Sequence, residues 1–262
     1  MRHVPTVIIT RPPHQAQNLV HKLAQAGRQS LVYPLFEIEA IAENPQLDAA
    51  IQNLSAFALL VFVSPNAVDA FFMRAPELAM NWPKGLTIAV VGAASRQALA
   101  KYGLDGANAR IVSPTNLERT DSETLLVELD LLALRGRKAL MVRADSGRDF
   151  LVNALRAAEV DVQAITAYRR VTPVFDDIKQ AKLRDFLQGA YVWVITSSEG
   201  LKTLLAWCSQ LDLENAVAKM QQQSLFVPHF RIAEVAAELG FKHVCLSASG
   251  DEMLLLALQS RL

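Results

Sequence analysis

The chain has 262 residues, 52% of them hydrophobic, enough to bury one large core or two ordinary ones. Its 26 basic and 26 acidic residues cancel, and the short basic runs 135–138 and 168–170 are too small to make a nucleic-acid footprint, so any anionic ligand must be recognised locally. The longest unbroken apolar run, Ala56 to Val63, is eight residues against the roughly 20 that cross a bilayer. The Met1-Arg2-His3 start meets Pro5 without a cleavage site behind it, so neither a membrane contact nor a secretory signal is expected, and the cytoplasm is the expected location.

From the N-terminus, a β-branched run at 6–10 ends in Arg11 and is followed by a helical stripe, Leu19-Val20-Leu23-Ala24, that stops at Gly27. A strand at 30–33 comes next, then a strictly alternating stretch at 36–41. The run 59–63 leads into Ser64-Pro65-Asn66, and the run 87–91 into Gly92-Ala93-Ala94-Ser95 with Ala98, Leu99 and Tyr102 behind it. A strand at 138–142 ends in Arg143 and leads to a helix start at Ser146-Gly147 with the stripe Leu151, Val152, Leu155. After a strand at 161–165 and a second alternating stretch at 165–171, strands at 191–195, 225–227 and 243–246 complete the series; Thr196-Ser197-Ser198 and Pro228-His229 follow the first two of these. Short strands alternating with helical patterns of about 10–15 residues predict parallel α/β architecture.

The same blocks occur twice. Val7 to Arg11 matches Leu140 to Arg143, Phe62 to Asn66 matches Val194 to Ser198, and Val90 to Gly92 matches Phe226 to Pro228, with lags of 143 − 11 = 132, 197 − 64 = 133 and 228 − 92 = 136. A near-constant lag over separate blocks marks an internal duplication, hence two similar parallel-sheet α/β domains. The alternating stretches occupy equivalent places in the two repeats and read as connectors, at 36–41 and 166–172. They would lie side by side as a two-stranded β hinge between a discontinuous domain, 1–35 plus 173–262, and a continuous one, 42–165, with a ligand cleft between the two.

No GxSxG, HExxH, GxxxxGK or GxGxxG pattern is present. His14 and His21 share a helical face but lack the carboxylate or thiolate partners that a metal site needs, and Cys208 and Cys245 have no CxxC spacing and read as buried thiols. Instead, Ser64, Asn66, Gly92, Ser95, Ser197 and Ser198 lie at helix starts after strands, where partial positive charge and unpaired N–H groups receive carboxylates or phosphates. As caps alone these residues would do no more than end helices; their recurrence in both halves favours a ligand. Arg11 and Arg143 stand at matched strand ends and could fork onto carboxylates. Tyr168, on the second connector, would turn its phenol to the cleft or simply fill a sheet face.

In order along the chain, Ile9-Thr10-Arg11-Pro12 with Gln17, Leu19, Leu23 and Gly27, then Pro34, Phe62 to Val68, Val91-Gly92, Arg143 with Gly147-Arg148, the 160–168 run, Thr196-Ser197 and the closing 233–240 helix resemble the uroporphyrinogen-III synthase family. The resemblance covers nearly the whole chain, and the ordered set is more specific than any single block. It implies two α/β lobes on a two-stranded ladder and a cyclase that closes hydroxymethylbilane to uroporphyrinogen III with loss of water and inversion of the last ring, without cofactor or metal; the sequence itself, with no coiled-coil heptad or strongly apolar surface helix, points to a monomer. By the same resemblance Tyr168 matches the tyrosine proposed to protonate the leaving hydroxyl. Arg11, Ser64, Asn66, Gly92, Ser95, Arg143, Arg148, Ser197, Ser198 and His229 would hold the carboxylate arms, and the preceding enzyme of the pathway is the implied transient partner. Pro228-His229 departs from the family's glycine and removes an N–H from the expected cradle. The other reading of the same residues is a bilobal module that binds a small anion without chemistry.

Overall fold

The computed structural model describes residues 5–115 and 121–261; Met1-Arg2-His3, on which the reading of the start rests, lies outside the described residues. The chain order is β1 (Thr6–Ile9), α1 (Pro13–Gln25), β2 (Ser30–Val32), β3 (Glu37–Ala40), α2 (Pro45–Gln52), β4 (Phe57–Phe62), α3 (Pro65–Phe72), β5 (Thr87–Val90), α4 (Ala93–Lys101), β6 (Ile111–Val112), α5 (Ser122–Val127) and α6 (Leu131–Leu134). It continues with β7 (Lys138–Ala144), α7 (Phe150–Ala157), β8 (Asp161–Val171), α8 (Asp177–Gln188), β9 (Tyr191–Val194), α9 (Ser198–Gln210), α10 (Ala216–Gln221), β10 (Ser224–Val227), α11 (Phe230–Glu238), β11 (His243–Leu246) and α12 (Asp251–Arg261). These elements form two compact units, residues 1–37 with 171–262, and residues 38–170.

The first unit holds a five-stranded sheet in the order β11-β10-β9-β1-β2, all parallel. Its strands read as continuous apolar runs because both faces are covered: Ile8 and Trp193 point into one core with α9, whereas Val7, Ile9, Val192 and Val194 point into the other with α1 and α12. The chain winds from β1 outward to β2 and, on its return, from β9 outward through β10 to β11, with α1 and α9 on opposite faces. Between β1 and β9 the winding direction reverses, the position at which open α/β sheets receive ligands.

The second unit is built to the same plan. Its sheet runs β3-β8-β7-β4-β5-β6, and β8, β7, β4, β5 and β6 are parallel to one another. Leu60 and Phe62 face the core under α3, and Leu59 and Val61 face the core under α7, so the reversal falls between β7 and β4. Here β7, β4 and β5 stand where β1, β9 and β10 stand in the first unit.

β8 runs unbroken from Asp161 to Val171, slipping one register step where Ala144 pairs with Tyr168, and β3 hydrogen-bonds to it. Two local expectations are corrected. The helix after β7 starts three residues later than Ser146-Gly147, at Phe150 with Asp149 at its N-cap, because Gly147 (φ +124°) turns the chain where a helix cannot form. The counterpart of Gly92 is His229 (229 − 92 = 137), which caps α11, so Pro228 lies outside the cap and its missing N–H is not a first-turn donor.

Candidate functional site

In the second unit the reversal point holds a cleft of about 170 Å³ lined by Val63, Ser64, Ser122, Met141, Arg143, Ala144, Ser146, Gly147, Arg148, Leu151, Tyr168 and Arg170. β4 delivers Ser64, which ends the strand in extended conformation and caps α3 by accepting the Ala67 N–H at 3.1 Å, with Pro65 at the first helical position, where its fixed φ suits the turn. β8 delivers Tyr168. Its ring is only 1% exposed, packed in the core with Phe62, Val142, Ala144 and Ile165, and its hydroxyl lies 2.8 Å from Ser64 Oγ. A buried phenol normally finds one polar partner for its tip, and here the partner is a helix cap at the wall of a cleft.

β7 delivers Arg143. Its guanidinium is engaged within the protein: Nη1 donates to Asp149 Oδ1 at 2.5 Å and Nη2 to the Gly147 carbonyl at 3.0 Å, which staples the loop between β7 and α7. Arg148 grips Glu123, in the first turn of α5, through two parallel bonds of 2.7 and 3.0 Å, and this carboxylate raises the guanidinium above its ordinary pKa. Asn66, in the first turn of α3, is buried, as is Ser95 in the first turn of α4. Gly92 caps α4 without a side-chain hydrogen bond, so the cap residue itself accepts none of that turn's N–H groups through a side chain.

In the first unit, Thr10 closes the reversal point by donating its hydroxyl to the Val194 carbonyl at 2.8 Å. Arg11, the next residue, donates to Asp251 Oδ1 at 2.6 Å, the second oxygen of Asp251 accepts from Asn18 at 2.8 Å, and Arg11 Nε is buried with no hydrogen-bond partner among the described residues. Ser197 caps α9 by accepting the Gly200 N–H at 3.3 Å, Ser198 opens that helix, and His229 Nδ1 accepts the Arg231 N–H at 3.4 Å.

Tyr168, Ser64, Arg143 and Arg148 therefore share one cleft, while Arg11, Ser197, Ser198 and His229 lie in the other unit at equivalent strand ends. Ser122 and Arg170 were not singled out in the sequence. Arg170 had a local signal, since it is two residues past Tyr168 and shares its face of the strand; Ser122 had none. Cys208 and Cys245 are free and buried, and burial pushes the Cys208 thiol up to about 12. No helix among the described residues is long and apolar enough to cross a membrane.

A family model described as uroporphyrinogen-III synthase HemD matches residues 17–254. The uroporphyrinogen-III synthase of Salmonella typhimurium is 29% identical over 255 residues, covering 97% of this chain and 100% of the relative, and that of Escherichia coli is 28% identical with the same coverage. Among solved structures, a mutant uroporphyrinogen III synthase from Thermus thermophilus superposes with a TM-score of 0.60 at 16% identity over 98% of this chain and 96% of the other. The Helicobacter pylori enzyme gives 0.59 at 16% over 98% and 100%; at such identity these two likenesses speak for the fold alone.

Proposed function

We propose that this chain, which belongs to the uroporphyrinogen-III synthase family, closes hydroxymethylbilane to uroporphyrinogen III by a cyclising dehydration in which Tyr168 is the general acid. Membership makes it an enzyme of porphyrin biosynthesis; the bond changes make the reaction that of a hydro-lyase. The observation that carries the reading of the site is the Tyr168 hydroxyl, held at 2.8 Å from Ser64 at the wall of a cleft lined by Arg143, Arg148 and Arg170. It supplies a proton donor beside cationic groups that suit a substrate with eight carboxylates.

The leaving hydroxyl takes the Tyr168 proton and departs as water with the C–O electron pair, while the pyrrole nitrogen lone pair pushes in to leave an azafulvene cation. Ring D attacks the cationic methylene through its substituted carbon, rearranges by way of a spiro intermediate, and gives up one proton, which returns to the phenolate. Bilane minus water is the whole balance. Because the cation forms readily, holding ring D in the inverting geometry is the larger task. In the second unit we assign carboxylate binding to the backbone N–H groups of the helix starts at Ser64, Asn66, Gly92 and Ser95 and to the side chains of Arg143 and Arg148. In the first we assign it to Arg11, with its buried and unsatisfied Nε, and to Ser197, Ser198 and His229. The bilane would be handed over by the enzyme that makes it.

The test is isomer analysis. Purified protein given enzymatically generated hydroxymethylbilane should yield the type III isomer; only spontaneous type I product would reject the enzyme reading and leave an anion-binding module.

A further inference from the structure

Ser64 stands in the site as one of several helix caps, yet its hydroxyl is the single hydrogen-bond partner of the Tyr168 phenol among the described residues. A serine oxygen has one proton and two lone pairs. One lone pair is taken by the Ala67 N–H, and among the described residues the buried phenol has no other partner. Two proton arrangements remain. If Tyr168 donates to Ser64, its proton is directed away from the cleft; if Ser64 donates to Tyr168, the phenol's own proton is free to point into it.

We propose that Ser64 is a positioning residue for proton transfer, donating its hydroxyl to Tyr168 so that the Tyr168 proton faces the substrate and the phenolate left behind is stabilised. This rests on the reading of Tyr168 as the acid. The chain of donors runs one way, from Ala67 N–H to Ser64 Oγ, from Ser64 O–H to Tyr168, and from Tyr168 to the leaving hydroxyl, so each bond strengthens the next. When the phenol gives up its proton, the Ser64–Tyr168 bond becomes charge-assisted, and the positive end of the eight-residue α3 lies behind the new negative charge. When ring D returns its proton, the phenol is restored and the arrangement resets. The Ser64 hydroxyl thus acts through Tyr168, and any grip on a carboxylate at this helix start falls to its backbone N–H groups.

The variants that test this are Ser64→Gly, which keeps a good N-cap conformation but has no hydroxyl, and Ser64→Thr, which keeps both. Ser64→Gly should lower kcat about tenfold to a hundredfold, the range of a hydrogen bond to a charged group, with KM within about threefold of wild type. Ser64→Thr should recover most of that loss. On a Tyr168→Phe background Ser64→Gly should add almost nothing, because both substitutions remove the same proton path. An unchanged kcat, a raised KM with kcat intact, or additive losses in the double variant would each overturn the assignment. Wild-type protein yielding no type III isomer, or Tyr168→Phe working at the wild-type rate, would instead strike the acid reading of Tyr168, whereas a slowed Tyr168→Phe beside an unslowed Ser64→Gly strikes the Ser64 assignment alone.

Discussion

Tyr168→Phe separates the two things the site is asked to do. The ring lies in the core with Phe62, Val142, Ala144 and Ile165, and phenylalanine fills the same space, so packing is retained. What disappears is one neutral hydrogen bond of 2.8 Å, while Ser64 Oγ keeps its bond from Ala67 and borders a cleft that admits water. The folding cost is then about 0.5–1.5 kcal/mol, a drop of a few degrees in Tm. Loss of a general acid costs at most about 10²–10⁴ in rate; because the pyrrole nitrogen itself expels the hydroxyl, the expected loss is nearer tenfold to a hundredfold, about 1.4–2.7 kcal/mol of barrier. Isomer choice depends on how the bilane is held, so the catalysed product should remain type III. Spontaneous type I should rise only as the slower enzyme loses the race. The assay generates hydroxymethylbilane in situ, stops samples over time, oxidises them to porphyrins and separates the isomers by chromatography, with circular dichroism to confirm folding. A folded Tyr168→Phe protein working at the wild-type rate would refute the role of the phenol, and one that made type I at the catalysed rate would refute the division between proton transfer and positioning.

Asp251→Asn should destabilise the first unit by about 1–3 kcal/mol in urea unfolding, since the Arg11 guanidinium loses a carboxylate acceptor in a mostly buried setting and the exposed Asn18 amide loses its own; a double-mutant cycle with Arg11→Met should show strong coupling. Gly147→Ala has room for its Cβ, 3.7 Å from Arg143 Nη2, but φ is +124°, so about 1–3 kcal/mol of backbone strain should show as lowered stability and a displaced Arg143; a wild-type Tm would argue against the turn as described. Stability should be fully present below pH 9 and fall as pH rises toward 12, because Cys208 and Tyr102 are both pushed up by burial to about 12 from ordinary values of 9.0 and 10.0. The unfolded chain releases these protons first and gains from each unit of pH. Cys208→Ala should flatten that alkaline limb in unfolding measured from pH 8 to 11.

Local periodicity carries a great deal here. Runs such as Thr6–Ile9 and Phe57–Phe62 are apolar on both faces, which only a sheet covered by helices on each side satisfies, and the repeated blocks report that the plan is used twice. Ser64 and Ser197 follow strands and precede helical stripes, so their capping was readable from neighbouring residues. The start of α7 was not, because Gly147 needs a positive φ that sequence signals only as a glycine; nor was the cap of α11, where one added residue moved the cap from Pro228 to His229.

Pairings between distant positions belong to the fold. Arg11 and Arg143 look alike as strand-end cations, but which acids they meet depends on where α12 and the turn before α7 come to rest: Asp251 lies 240 positions from Arg11, and Asp149 only six from Arg143. Ser64 and Tyr168 are 104 positions apart and become neighbours because β4 and β8 flank β7 in one sheet, a strand order that no window of sequence contains. Periodicity is a property of adjacent residues and survives in the sequence alone; the order of strands is set by how the whole chain winds, and with it the partner that meets each polar atom.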